Sequence, residues 1–258
     1  MSDFIRKLKQ TQFVSNFVFD SNKYNRKVIR KTQLNFPNFA FEKKLWKEGF
    51  SFVAGIDEVG RGCFAGPVVA GCCLFSQSIL PTLSLLEGIR IDDSKKLTSA
   101  QRNAANVWIK NNALSWGIGE AGVELINKFG IVKAARHAFR LAIKNTNAKM
   151  LNLESKIDFL LVDAFYIPYV KGVSRKYQKA IIKGDSKSLS IAAGSIIAKV
   201  YRDSLMEKIG SGEKFQHYGW HKNKGYGTKE HREAILKYGI SNYHRLQFVN
   251  TFLSKANH

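Results

Sequence analysis

The sequence predicts an α/β fold, and three observations carry that prediction. Val68 to Phe75 is an almost unbroken apolar run, as expected of a strand covered on both faces. Further strand-like runs fall at 51–57, 116–123, 156–165 and 176–185, with helix-spaced stretches between them. Three of the five runs close on acids: Asp57 with Glu58, then Asp163, then Asp185. In open α/β sheets, ligands gather beyond the carboxyl ends of the strands.

Phe36-Pro37 marks a break before a helix that begins near Phe39, because the residue before a proline avoids helical backbone. In FEKKLWKEGF this helix sets Phe41, Leu45 and Trp46 on one face and stops at Gly49. The first strand follows, and Gly60 and Gly62 permit a bend after it. Pro67 opens the second strand, where its missing donor costs no interior ladder bond. Residues 76–90 read as a loop and a short helix. Thr98 or Ser99 caps a helix over 100–111. Beyond the third strand, Ile131, Ala134, Ala135, Ala138, Phe139 and Ala142 recur at helical spacing within a helix over 127–144. The small-residue stretch from Ser188 to Gly210 predicts a helix packed tightly on the sheet, although Gly194 weakens it by about 1 kcal/mol. A last helix spans 228–238. No internal repeat is visible.

The 258 residues, 45% of them hydrophobic, suffice for one large domain with appendages. Lys+Arg 41 against Asp+Glu 20 leaves a net charge of +21, which suits a polyanionic partner. Nucleic acid is the simplest such partner; an anionic membrane surface competes, and charge alone does not separate them. No apolar run reaches the ~18 residues of a spanning helix. The N-terminus lacks the apolar core and cleavage site of a secretory signal, while its basic, acid-poor character leaves a transit peptide open. Residues 1–40 hold eight Lys+Arg and two Asp with weak periodicity, and read as a poorly ordered basic arm. Cys63, Cys72 and Cys73 offer neither a disulfide framework nor a metal spacing. They read as small buried residues of a reducing compartment, hence a cytoplasmic chain.

Carboxylates gathered at one sheet edge repel one another and call for cations. Oxygen ligands select Mg²⁺ or Mn²⁺ over zinc. Two such ions can clamp the attacking and leaving oxygens of a phosphodiester. No Ser, Cys or His nucleophile is needed, and no convincing triad is present. Arg61, between the two glycines, adds a fixed charge with a planar donor fork. On residue types alone, this turn is either a metal and phosphate site or a solvated hairpin tip. Asp203, beside Arg202 on a helix, reads as structural, and so does His137. His217, His221, His231 and His244 form no zinc spacing with cysteine.

GIDEVGRG followed by AGPVVA resembles the opening signature of type II ribonucleases H, the ribonuclease HII family. DSKKLT, KGDSKSLSIAAGSIIAKVYRD, KGYGTKEH and the tail HRLQFVNTF are similar to further stretches of that family, so the resemblance covers about 41–250. The departures are Gly194, where the family more often has Ala, and Gln247 at a usual Ser; the first should alter packing, not chemistry. The resemblance implies a ribonuclease H-like mixed five-stranded sheet flanked by helices over 41–210. A helical C-terminal element over 211–258 would complete the substrate cleft.

The same resemblance implies an endonuclease that cuts the RNA strand of RNA–DNA hybrids. It would also cut 5′ of single ribonucleotides embedded in duplex DNA, leaving 5′-phosphate and 3′-hydroxyl ends. Asp57, Glu58, Asp163 and Asp185 take the metal-binding and catalytic roles, with two Mg²⁺ or Mn²⁺ ions once substrate is bound. Gly60, Arg61 and Gly62 detect the ribose 2′-hydroxyl at the junction where RNA passes into DNA. Tyr226 stacks on the neighbouring deoxyribose, and Ser94 and Lys95 lie near the substrate backbone. Without the resemblance, Ser94, Lys95 and Lys96 read as a solvated loop and Tyr226 as a packed aromatic. The expected partners are the hybrid and the ribonucleotide-containing duplex, with no membrane and a monomeric chain. Gln247 near Phe252 hints faintly at a replication-clamp peptide.

Two rivals come from other classes. A non-catalytic nucleic-acid-binding module explains the charge but not four acids at strand ends. An ATPase of the actin and sugar-kinase type needs further glycine-rich phosphate loops, which the chain lacks.

Overall fold

The computed structural model describes residues 36–80, 88–150 and 155–256, all within one compact unit spanning 35–258. The basic arm therefore lies outside the described residues, except for 36–40, where Phe39 is packed into the core. Five strands form one sheet: β1 (Val53–Val59), β2 (Val68–Leu74), β3 (Ser115–Ala121), β4 (Phe159–Asp163) and β5 (Gln178–Ile181). Their order is β3-β2-β1-β4-β5. β1, β2 and β3 pair antiparallel, while β4 joins β1 and β5 joins β4 in parallel. This is the mixed five-stranded sheet with flanking helices that the sequence led us to expect.

The two faces of the sheet are covered by helices of different character. On one side lie α3 (Val123–Phe129) and α4 (Ile131–Ala148), where Phe139 and Ala138 of α4 meet Ile56, Cys72 and Leu160. On the other lie α1 (Ala40–Lys47), α2 (Ser99–Asn112) and the long α5 (Leu189–Gly210), with Ile191, Ile196 and Ile197 against Val53, Cys73 and Leu161. Cys72 and Cys73 thus face opposite sides, as strand alternation requires. Burying a side chain of this size contributes about 1.5–3 kcal/mol. α5 approaches the sheet so closely that a methyl group on Gly194 would sit 2.5 Å from the carbonyl oxygen of Gly71. Its glycine is a packing requirement, as expected of a change that alters packing.

Four details differ from the sequence reading. β1 continues to Val59, because the chain bends only at Gly60, whose φ is +89°. Asp57 and Glu58 are therefore interior strand neighbours on opposite faces. The helix expected over 127–144 is two helices, broken at Gly130 with φ +80°. β5 is short: Lys183 turns left-handed at φ +55°, and Asp185 sits in a 3₁₀ turn, Gly184–Ser186, past the strand. On α1, Phe41 packs against the core as expected, but Glu42 is turned inward beside it. It is fully buried, and its Oε1 accepts bonds from Ser188 Oγ (2.6 Å) and Ser190 N (3.1 Å) at the start of α5.

The capping expectations are met. Thr98 caps α2 in a reciprocal box with Gln101, and Thr228 caps α7 (Lys229–Tyr238). The C-terminal element adds α6 (Trp220–Asn223) and α8 (Leu246–Ala256) around a separate cluster of Met206, Tyr218, Trp220, Ile235 and Val249. Among the described residues, no helix is long and apolar enough to cross a membrane.

Candidate active site

β1 and β4 run parallel and carry Asp57 and Asp163 toward the same end of the sheet. The turn after β5 brings Asp185 beside them. Asp57 is buried at 5% exposure, with its Oδ1 accepting from the Glu58 amide at 2.7 Å. The Ser195 hydroxyl from α5 lies close enough to Asp57 to favour its charged form, and Ser195 Oγ lies 3.1 Å from Ser94 Oγ. Asp163 Oδ1 accepts from the Gly184 amide at 2.7 Å, which ties the end of β4 to the turn holding Asp185. Glu58 Oε1 receives Arg61 Nη1 at 3.0 Å, while its Oε2 is buried without a partner.

The electrostatics are those of acids forced together. Burial pushes Asp57 well above the usual carboxylate range, and the charges of Glu58, Asp163 and Asp185 add to that rise. Glu58 is raised by burial even though Arg61 opposes the shift. Asp185 is raised by burial, then by Asp93 and Asp163, with Lys95 pulling the other way. The four acids thus feel one another's charge. Yet no three His, Cys, Asp or Glu side chains among the described residues surround one point as a finished ligand set. The reason is visible in the bonds above: Asp57, Glu58 and Asp163 are each turned to a private partner, and alternation along β1 separates Asp57 from Glu58. The donor set itself fits a hard divalent cation. It is all oxygen, crowded with negative charge, and holds an unpartnered oxygen in Glu58.

The turn 60–67 is fixed from beneath by two buried arginines. Arg202 of α5 donates to the carbonyls of Pro67 (2.9 Å), Ala65 (3.0 Å) and Lys224 (2.8 Å). Arg245 donates to those of Gly66 (2.8 Å) and Arg61 (2.9 Å). A side chain at Gly60 would collide with Arg202, whereas one at Gly62 would meet nothing in the protein. The Arg61 guanidinium lies over the Phe165 ring at 5.4 Å. Tyr226 is on the same scaffold, since Gly225 O accepts from Phe64 N and Ala65 N at 2.8 and 3.1 Å. Burial, with Cys63 beside it, pushes its pKa to about 12. Its ring remains 37% exposed, 5.5 Å from Lys199 Nζ.

The structure places other expected residues less openly. Ser94 is buried at 2% exposure behind Asp57, not in a solvated loop, whereas Lys95 is exposed beside Asp185. Asp203 is engaged by Lys199 at 2.9 Å, in line with a structural role. Gln247 and Phe252, the clamp-peptide hint, lie on α8, and Phe252 packs on Phe64 at 5.9 Å. His231 and His244 are buried against each other, with Nε2 atoms 3.2 Å apart, and Trp220 Nε1 donates to His231 at 2.9 Å. Sequence reasoning passed over Asp93, Ser195, Arg202 and Arg245. Asp93 stood beside Ser94 in DSKKLT and was the one with a readable signal.

Solved structures with this architecture define the class. Ribonuclease H2 from Pyrococcus horikoshii OT3 has a TM-score of 0.61 at 24% identity, over 80% of this chain and 99% of that one. Ribonuclease HII of Archaeoglobus fulgidus, solved as a complex with PCNA, has a TM-score of 0.58 at 25% identity, over 76% and 94%. Bst-RNase HIII in complex with Mn²⁺ shares the fold at a TM-score of 0.58 and 19% identity, over 80% and 70%. The chain has the ribonuclease H-type fold. The sequence profile described as ribonuclease HII matches residues 54–251. Ribonuclease HII of Chlamydia caviae is 42% identical over 86% of this chain and 95% of its own length; that of Alkaliphilus metalliredigens is 45% identical over 82% and 97%. The chain belongs to the ribonuclease HII family.

Proposed function

We propose that this chain hydrolyses the RNA strand of RNA–DNA hybrids and cuts 5′ of single ribonucleotides embedded in duplex DNA, leaving 5′-phosphate and 3′-hydroxyl ends. One observation carries the reading: Asp57, Glu58, Asp163 and Asp185 are electrostatically coupled at one end of the sheet, and Glu58 keeps a buried oxygen without a partner. Two divalent ions, Mg²⁺ or Mn²⁺, held by these four acids would activate the attacking water and stabilise charge on the departing 3′-oxygen. The chain's own contribution is positioning. Ser195 and the Glu58 amide orient Asp57, and the Gly184 amide orients Asp163. Arg61 holds one oxygen of Glu58 and leaves the other free.

The reading of the ribose follows from the turn. Gly62 leaves open space, so a sugar can approach the backbone there, and the 2′-hydroxyl is what separates RNA from DNA. Tyr226 offers a half-open aromatic face to the next sugar, and Lys95 offers charge to the backbone near Asp185. Ser94 would act through Ser195 and Asp57 instead of touching substrate. The basic arm would strengthen binding without setting specificity. A single chain supplies every group named, so the working unit is taken as a monomer. Its three free, buried cysteines suit a reducing, cytoplasmic setting, where ribonucleotides are removed from newly replicated DNA.

The test is duplex DNA carrying one ribonucleotide, incubated with Mg²⁺ and with Mn²⁺. Cutting on the 5′ side of that ribonucleotide, and no cutting of the all-DNA duplex, is the expected result. Indifference to the ribonucleotide would contradict the reading.

A further inference from the structure

On the face of the sheet away from α5, the outer side of α4 carries Lys133, Arg136, Arg140 and Lys144 at three- and four-residue intervals, so that they form one row. The helix contains no Asp or Glu. Among the described residues, its cations lack the pairing seen on α7, where Lys229 and Glu233 approach within 3.9 Å. Beside this row runs a groove of about 580 Å³ where, among the described residues, Arg140, Lys144, Lys156, Tyr169 and Lys171 line it together with Ile143, Asn147 and Val170, and no carboxylate does. Tyr169 stands 92% exposed at φ +59°, in a backbone region that bulky residues rarely enter. Arg140 fixes the groove's other wall by donating to the Pro168 carbonyl at 3.3 Å.

That wall begins at the site itself. Phe165, two residues past Asp163, lies under Arg61, and Tyr166 lies under Arg175 at 4.8 Å. Cations and aromatic rings therefore follow one another from the glycine turn, along 165–172, to α4. A basic helix face by itself is usually only solvated. This one differs in that the helix itself carries no acid and that the face runs on from the turn that carries Arg61.

We propose that this face is a track for the phosphate backbone of the nucleic acid flanking the cut site. The proposal rests on the hybrid-cutting function above and extends it to the substrate beyond the scissile bond. A row of one sign releases counterions when phosphates displace them, and exposed rings between cations suit sugars and bases. The 18 residues of α4 extend about 27 Å, the length of about eight base pairs.

The test uses R136Q/K144Q/K171Q, three exposed residues that make no hydrogen bond or ion pair with the described residues, so the fold does not depend on them. Binding is measured by fluorescence anisotropy without divalent ions, on a hybrid with long flanks and on one trimmed close to the cut site. On long flanks, Kd should rise about tenfold at low salt. The slope of log K against log salt should become shallower by about 3, for three lost phosphate contacts. The trimmed hybrid should bind as before. An unchanged slope on long flanks, or equal losses on both hybrids, would overturn the track. Cleavage of the trimmed hybrid by the unmodified chain with Mg²⁺ is scored in parallel. If that cleavage is absent while the flank-dependent loss persists, the function fails and the track stands.

Discussion

At the acid-bearing end of the sheet, buried carboxylates raise one another's pKa and Glu58 leaves an oxygen without a partner. Beneath the glycine turn, where α5 meets the C-terminal element, the buried arginines and imidazoles instead find protein partners for nearly every polar atom, Arg245 Nη2 excepted. Arg202 alone satisfies three carbonyls. His231 accepts from Trp220 at Nε2, so its Nδ1–H donates to Tyr226 O at 2.9 Å. His244 Nδ1 accepts from the Ser241 amide at 2.8 Å, so its Nε2 carries the proton that faces His231. The difference teaches which part the chain finishes alone. On the proposed function, the turn that would read substrate is held by the chain's own bonds, whereas the acidic edge would be completed by cations.

The contrast is broken hardest at the acids. Asp163→Asn should cut turnover by on the order of a thousandfold, because metal-borne charge stabilisation supplies several kcal/mol. Its fold should be unharmed, since a crowded charge is removed. Steady-state rates with circular dichroism of the same sample check both halves. Near-normal turnover would show that the wrong acid was chosen.

On the finished side the loss should appear in stability. Arg202→Ala leaves three carbonyls without their donor, each worth about 1–3 kcal/mol if buried and unsatisfied. Urea unfolding should show a loss of about 3–6 kcal/mol, with Arg202→Lys recovering only part, because an ammonium cannot reproduce the fork. A loss below about 1 kcal/mol would mean that water replaces the guanidinium freely.

Tyr226→Ala is expected to be milder and selective. An aromatic stacking contact is worth about 1–3 kcal/mol. The kcat/KM on a single embedded ribonucleotide should fall by that amount, and less on a long uniform hybrid, where no deoxyribose follows most cut sites. Equal losses would assign Tyr226 to packing.

The two regions should also answer acid in opposite ways. Burial, then the neighbouring His231, holds His244 down at about 4, against an unfolded value near 6.5. Between those pH values the unfolded chain binds more protons, so this contribution is full above 6.5 and is lost as pH falls through 4. The raised Asp57, Glu58 and Asp185 act with the other sign in the metal-free chain: their protonated forms favour the fold in acid, and that contribution is lost as pH rises through their folded values. His244→Asn should flatten the acid loss, read from urea midpoints across pH 4 to 7. An identical profile would remove His244 from the account.

The strand runs and the Asp163 that closes β4 were legible because apolar continuity and a closing Asp are local signals. The cap at Thr98 was legible for the same reason. What escaped depends on partners far along the chain. Arg202 in KVYRD reads as a helix-surface cation until Pro67 and Ala65 fold beneath it. Glu42 in FEKKLWKEGF reads as polar and outward until the start of α5 offers it Ser188. The extension of β1 past Asp57 escaped because Gly60, not the acid pair, sets the bend. The basic row on α4 was visible residue by residue, but its continuity with Arg61 required the loop 165–172 to be placed.

The central claim is that the acidic edge is completed by divalent cations. Its most direct measurement is the melting temperature of the chain and of Asp163→Asn across a Mn²⁺ titration without nucleic acid. A ligand that binds only the folded form stabilises it by RT ln(1 + [L]/Kd). The melting temperature of the unmodified chain should climb with Mn²⁺, and that of Asp163→Asn, starting level or slightly higher, should stay nearly flat. If Mn²⁺ stabilises both proteins equally, the ion binds elsewhere and the acids are not its seat.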